Sequence, residues 1–241
     1  MGTSNPLKND FHLNCTLQGI RRSLGDTVNK KLPVTPSILL AIYKQLNMTA
    51  VHDANVWAAC LVLFFGFLRK VSLLPTSAKS FDVAKHACRS DVTLAPEGAI
   101  RTVRCTKTIQ FQQRALRVPL PRQHNSVFCP AQAFYHALSF VSSSAATSPA
   151  FVTSTNGSPL CAAAFIKTVH CCLLRAGILN VSQYSGHSFR RGAASWGYSI
   201  GLPALTIKAL GDWKSSSYVG YIDIDPDHRL RAVKAMLQHV K

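Results

Sequence analysis

The unbroken apolar run from Val56 to Leu68 constrains this chain more than any other feature. It is too short to cross a bilayer, which takes about 20 apolar residues as a helix. It reads instead as a helix from about Asp53 to Leu68 that is apolar on every side. Such a helix is stable only at the centre of a core, so the rest of the chain must surround it. With 241 residues, 47% of them hydrophobic, the chain can build one substantial core, or one core and a fragment of a second domain.

The flanking pattern shows what surrounds it. Residues 1–34 look like the tail of something else: Leu17 to Leu24 could end a helix, and Asn29-Lys30-Lys31-Leu32-Pro33 reads as a basic linker. Thr35-Pro36 pairs an N-cap with proline at the first helical position, and Ile38, Leu39, Ile42 and Leu46 form one apolar face behind it. Short β-branched runs follow at Val92–Leu94, Ile100–Cys105 and Leu116–Leu120, with a turn at Pro96-Glu97-Gly98 and a polar connection over Thr106–Arg114. Further helices are expected over Pro130–Val141, from Ser158-Pro159 to near Gly177, over Ser188–Gly197, Pro203–Leu210 and about Pro226–Val240. The expected class is mainly α with a small three-stranded antiparallel sheet (α+β). The expected organisation is a short N-terminal piece, 1–34, and a main domain, 35–241.

Charge narrows the partner. Lys and Arg number 27 against 10 Asp and Glu, a net +17, which favours a polyanion: nucleic acid first, an anionic membrane second. No Asp or Glu occurs from Gly98 to Gly211, yet Arg101, Arg104, Lys107, Arg114, Arg117, Arg122, Lys167, Arg175, Arg190, Arg191 and Lys208 do. The arginines of that span are therefore expected to lack acidic partners. The eight cysteines form no Cys-x-x-Cys pair and lack a histidine at zinc spacing, so they read as reduced core residues of an intracellular protein, with no metal site. The first ten residues are polar and show no signal peptide.

Four short motifs carry chemistry. His187 and Arg190 stand three apart in Gly186-His187-Ser188-Phe189-Arg190-Arg191-Gly192, one turn from each other on a helix opened by Ser188, so both can face one anion. Arg69 ends the apolar helix. Read alone it is an arginine snorkelling to solvent; read with the others it is a phosphate clamp on a rigid element. Lys107 sits in Arg104-Cys105-Thr106-Lys107-Thr108, either an exposed hairpin lysine or a proton donor delivered by a hairpin. Tyr218 and Tyr221 follow Leu210-Gly211-Asp212-Trp213. Either is a packing aromatic or a nucleophilic hydroxyl.

Taken in order, these motifs resemble the catalytic domain of tyrosine recombinases, the phage-integrase and Cre-like group. Phe65-Gly66-Phe67-Leu68-Arg69 is similar to that family's first arginine motif, Arg104–Thr108 to its hairpin lysine motif, and His187-Ser188-Phe189-Arg190 to its His-x-x-Arg. Leu210–Trp213 through Tyr221-Ile222 is similar to its Leu-Gly-His block and nucleophile. The phrases Phe67-Leu68-Arg69-Lys70 and Gly211-Asp212-Trp213-Lys214-Ser215-Ser216 resemble the eukaryotic mobile-element branch most. The resemblance covers roughly Thr35 to Tyr221 and implies that 1–34 is a remnant of the family's N-terminal core-binding domain. Two positions depart from the pattern: Ser72 stands where the family usually has an acid, and Asp212 where it has a second histidine.

The resemblance implies a mechanism that needs neither metal nor other cofactor. Tyr221 attacks a phosphodiester of double-stranded DNA, giving a 3′-phosphotyrosine and a free 5′-hydroxyl, with Tyr218 as the alternative nucleophile. Arg69 and Arg190 neutralise the transition state, Lys107 protonates the leaving oxygen, and His187 handles the tyrosine proton. Trp213 is an accessory donor, and Asp212 turns away to pair with Arg190 or Arg191 or else faces the phosphate and weakens catalysis. Arg104, Arg114, Arg191 and Lys214 are expected DNA contacts. The family works as DNA-bound tetramers, so self-association is expected, in a nucleus if the host is eukaryotic and otherwise in the cytoplasm. Two other readings stay open: a type IB topoisomerase-like nicking enzyme, and a domesticated DNA-binding domain with weak catalysis or none.

Overall fold

A computed structural model describes residues 10–24, 30–106, 109, 114–141, 145–224, 230, 233, 234 and 236–238. The chain divides into two compact units, 1–30 and 31–241. Among the described residues, the first holds one helix, α1 (Phe11–Leu24). The other elements described belong to the second.

That unit is built around the apolar helix. Thr35 caps α2 (Pro36–Tyr43), its hydroxyl accepting from the Ile38 amide at 3.3 Å with Pro36 in the first turn. Leu39 and Ile42 face inward. The central helix, α3 (Val51–Phe65), buries every residue from Ala54 to Phe64. It ends three residues earlier than its apolar run predicts. Gly66 closes the helix, and Phe67 then takes a left-handed φ of 51°, which breaks the helical path while the side chain stays buried. A bulky residue in that region is uncommon and costs backbone energy, so the surroundings must hold it there.

The sheet is a meander of β1 (Val92–Ala95), β2 (Gly98–Val103) and β3 (Leu116–Pro121), antiparallel throughout with β2 in the middle. Val92 pairs with Arg101, and Arg101 with Val118. On β2 the inward residues are Ala99, Arg101 and Val103. The helices α4 (Pro130–Ser139), α5 (Ala162–Arg175) and α6 (Gly186–Ser199) each pack on α3, and α7 (Ala204–Leu210) packs on α6. The fold is thus mainly α with a three-stranded antiparallel sheet, as expected. Among the described residues, no helix is long and apolar enough to cross a membrane.

Local starts differ from the sequence reading where another partner takes the backbone. α5 begins at Ala162 and not at Pro159, because Val152 and Pro159 pair in a bridge and the Leu160 amide bonds Phe151 O. α6 begins at Gly186, because Ser185 and not Ser188 is the cap. The Ser185 hydroxyl accepts from the His187 amide, and Ser188 Oγ accepts from the Ser185 amide in return. Of the expected last helix, Leu230, Val233, Lys234 and Met236–Gln238 are helical, and the rest of 226–240 lies outside the described residues. All eight cysteines are free, but Cys15 is exposed and Cys105, Cys161 and Cys171 are only partly covered, so not all are core residues.

α6 lies against the entering segment with no space to spare. The Val34 amide donates to Ser188 O at 2.9 Å, and a Cβ added at Gly192 would stand 1.8 Å from Val34 O. Gly192→Ala is therefore expected to destabilise the fold by about 1–3 kcal/mol, the usual cost of overpacking. A lowered urea midpoint at unchanged slope would show it.

Candidate active site

Four segments converge on one recess, lined among others by Arg69, Ser72, Thr106, Arg190, Gly211 and Asp212. Arg69 follows the left-handed Phe67 and leads a 3-10 turn, Lys70–Ser72, closed by the Ser72 amide on Arg69 O at 3.0 Å. Beneath it, Arg101 of β2 is 1% exposed and donates to Ser72 O at 2.9 Å. Burial pulls this guanidinium down to about 10, and its Nε and Nη1 have no acceptor among the described residues. A cation from the sheet therefore pins the turn that presents Arg69, at the position where an acid was expected and Ser72 stands.

Arg190 is 3% exposed. Its Nη1 donates to Phe67 O and its Nη2 to Gly211 O, so one side chain ties the Arg69 segment to the end of α7. The Phe67 carbonyl reaches Arg190 from the left-handed turn, which gives that strained residue a task. The guanidinium lies 3.9 Å from the Trp213 ring centre and 5.6 Å from that of Tyr221. Burial, and then Arg69, lower its pKa to about 10, which leaves it charged at neutral pH.

Tyr221 closes a 3-10 segment, Ser216–Tyr221. Its ring packs on Trp213 at 5.2 Å, and its carbonyl accepts from Ser195 Oγ of α6 at 3.2 Å. Tyr218 reaches Trp213 at 6.4 Å. Trp213 is the shared platform: 6% exposed, with its indole N–H buried and without an acceptor among the described residues.

His187, in the first turn of α6, remains partly open to solvent. Partial burial of the ring, then the charges of Lys70, Arg69 and Arg190, hold its pKa below the ordinary value. The free protein thus keeps His187 neutral at neutral pH. A phosphate placed among those cations would raise the pKa and draw in a proton. Affinity for a phosphate-bearing polyanion is then expected to rise as the pH falls from about 7.5 to below the unperturbed histidine value of about 6.5. His187→Gln should flatten that rise; an unchanged pH profile would show that the proton goes elsewhere.

Asp212 does not take the first of its two expected courses. It adopts a left-handed φ of 52° at the end of α7 and pairs with neither Arg190 nor Arg191. Arg114, from the other wall, places Nη2 at 2.7 and 2.6 Å from its two carboxylate oxygens. Other expected DNA contacts are also engaged. Arg191 pairs with Asp223 at 3.0 Å, and Arg104 is held by the buried Asp91 at 2.8 and 3.0 Å and by Val83 O. Lys214 is exposed. Three arginines of the acid-free span, Arg104, Arg114 and Arg191, are therefore not bare, because folding brings them acids from outside it. Lys107 lies outside the described residues. Lys70 is the cation that the motifs did not single out; the signal was an Arg69-Lys70 pair with no acid before Asp82.

No family model and no curated protein matches the sequence. Solved structures do match. The XerH site-specific recombinase bound to palindromic difH substrate, a post-cleavage complex, aligns at TM-score 0.60 with 17% identity, over 87% of this chain and 54% of that one. The XerA recombinase aligns at 0.57 with 14% identity, over 94% and 74%. The Tn1549 transposon integrase in complex with circular intermediate DNA aligns at 0.53 with 14% identity, over 93% and 76%. The fold is that of a tyrosine recombinase catalytic domain. The chain spans only 54% of the XerH chain. Identities this low speak to the fold alone and do not resolve a branch.

Proposed function

We propose that this chain is the catalytic domain of a DNA strand transferase that breaks and rejoins duplex DNA through a tyrosine–phosphate bond, as a site-specific recombinase or integrase. The observation that carries the reading is the gathering of Arg69, Arg190 and Tyr221 from three separate segments. Among the described residues, no carboxylate forms an ion pair with Arg69 or Arg190. Two cations beside a hydroxyl are what a phosphodiester needs to be attacked and its transition state neutralised. In the proposed step the Tyr221 hydroxyl gives up its proton, which His187 is proposed to handle on the family resemblance; its oxygen bonds to phosphorus, the bond to the 5′-oxygen breaks, and that oxygen takes a proton. Lys107 is proposed as its source on the family resemblance. The reverse attack by a 5′-hydroxyl reseals the strand without other fuel. Arg114 and Lys214 are proposed to track flanking phosphates. The XerH and Tn1549 structures are complexes with DNA, which supports duplex DNA as the partner. Assembly on DNA as a tetramer, a mobile-element origin with work in a nucleus, and residues 1–34 as part of a core-binding domain are further parts of the proposal.

One observation favours a second reading, a DNA-binding descendant with weak catalysis: an acid, Asp212, is among the residues that line the recess. A pool of nicked duplexes with randomised flanks separates the two. A catalytic chain retains DNA through denaturing gels, and the linked peptide contains Tyr221. Retention of duplex DNA only under native conditions supports the second reading. Relaxation of supercoiled plasmid without any preferred site would instead point to a topoisomerase-like enzyme.

A further inference from the structure

We propose that Lys70 is a further phosphate-contacting cation of this site, laid across the first turn of α6 in a groove that exists because residue 186 is glycine. The inference rests on the DNA-binding reading above. Its starting point is Gly186, the first residue of α6. Its backbone does not lie in the left-handed region, so conformation does not call for glycine there. What the residue supplies is the absence of a side chain. A Cβ at 186 would stand 2.3, 2.7 and 2.9 Å from Cδ, Cγ and Cβ of Lys70. The contact begins at the root of the lysine, so the stem cannot swing clear of an added methyl without moving as a whole.

The root itself is fixed. Lys70 O accepts from the Leu73 and Leu74 amides at 3.0 and 2.8 Å, and Arg101 holds Ser72 from below. The stem therefore has one course, over the start of α6 toward His187. The charge of Lys70 depresses His187 more than that of Arg69 or Arg190 does, which agrees with that course. Among the described residues, no carboxylate pairs with Lys70. This is also the wrong end of a helix for a cation, because the N-terminus carries the positive pole of the helix dipole. A lysine held there beside Arg69 and Arg190 is unfavourable in the free protein and favourable once an anion arrives. The anion that the site's other residues are proposed to bind is a DNA phosphate. Lys70 then adds one contact to it and one released counterion.

The test needs no catalysis. Duplex affinity of the 241-residue chain is measured against salt for the parent, Lys70→Gln, Lys70→Arg, Gly186→Ala and the double variant Lys70→Gln/Gly186→Ala, with urea midpoints confirming that each is folded. Lys70→Gln should lower the slope of log affinity against log salt by about 0.9, and Lys70→Arg should keep it. Gly186→Ala should lose the same amount by displacing the stem, and the double variant should lose no more than either single. An unchanged slope in Lys70→Gln overturns the assignment while leaving DNA binding in place. A full loss in Lys70→Gln with none in Gly186→Ala overturns the groove. A parent chain whose duplex affinity does not depend on salt overturns the DNA-binding reading, and this inference with it.

Discussion

Replacing Tyr221 with phenylalanine is expected to abolish the covalent protein–DNA product while leaving the fold and duplex affinity intact. The substitution removes a single oxygen. The ring keeps its place against Trp213 at 5.2 Å and near Arg190 at 5.6 Å, and Ser195 still holds the backbone carbonyl. Loss of an enzyme's nucleophile has cost on the order of 10⁶ in rate, so no covalent band should accumulate. Tyr218→Phe should be close to neutral, because Tyr218 lies farther from Trp213, at 6.4 Å. A band that persists in Tyr221→Phe and vanishes in Tyr218→Phe reverses the assignment.

Asp212→Asn is expected to act in the opposite direction and speed covalent-adduct formation. Asp212 lines the same recess as Arg69 and Arg190, and its charge acts on Arg190 against that of Arg69. A carboxylate about 5 Å from a phosphate, at an effective dielectric near 20, opposes it by roughly 3 kcal/mol, or on the order of 100-fold. Asparagine preserves the shape and tolerates the left-handed φ of 52°. The ion pair that is lost involves a partly exposed Arg114, and pairs of that kind contribute little to stability. A single-turnover rate on nicked duplex decides the matter. Should Asp212→Asn be slower than the parent, the Arg114–Asp212 pair is a working part of the site, with Arg114 as the cation it positions.

Much of the fold was legible because local patterns agreed with burial. The Val56–Leu68 run had only one stable location, and the β-branched runs with Pro96-Glu97 between them could only form hairpins. The gathering of Arg69, Arg190 and Tyr221 was legible through motif order. What the sequence concealed was contact between distant segments. The span from Gly98 to Gly211 lacks acids, yet Asp91, Asp212 and Asp223 reach Arg104, Arg114 and Arg191 from beyond its ends. Two serines three apart, Ser185 and Ser188, could each have opened α6; the one with an extended backbone, whose hydroxyl accepts from the His187 amide, did so. Lys70 was passed over because its place depends on Gly186, a residue remote in the chain.

The carbonyls that hold Arg190 have a thermodynamic consequence. Phe67 O and Gly211 O supply partial negative charge and no proton-binding group, so the like charges of Arg69, Lys70 and Arg190 are only partly compensated when the recess is empty. That repulsion raises the free energy of the resting protein and is released when an oxyanion arrives. The molecule should therefore trade ruggedness for readiness. Sulfate or inorganic phosphate should raise its melting temperature by more than chloride does at matched ionic strength. Neutralising Lys70 should make the resting chain harder to melt even as it weakens its hold on DNA.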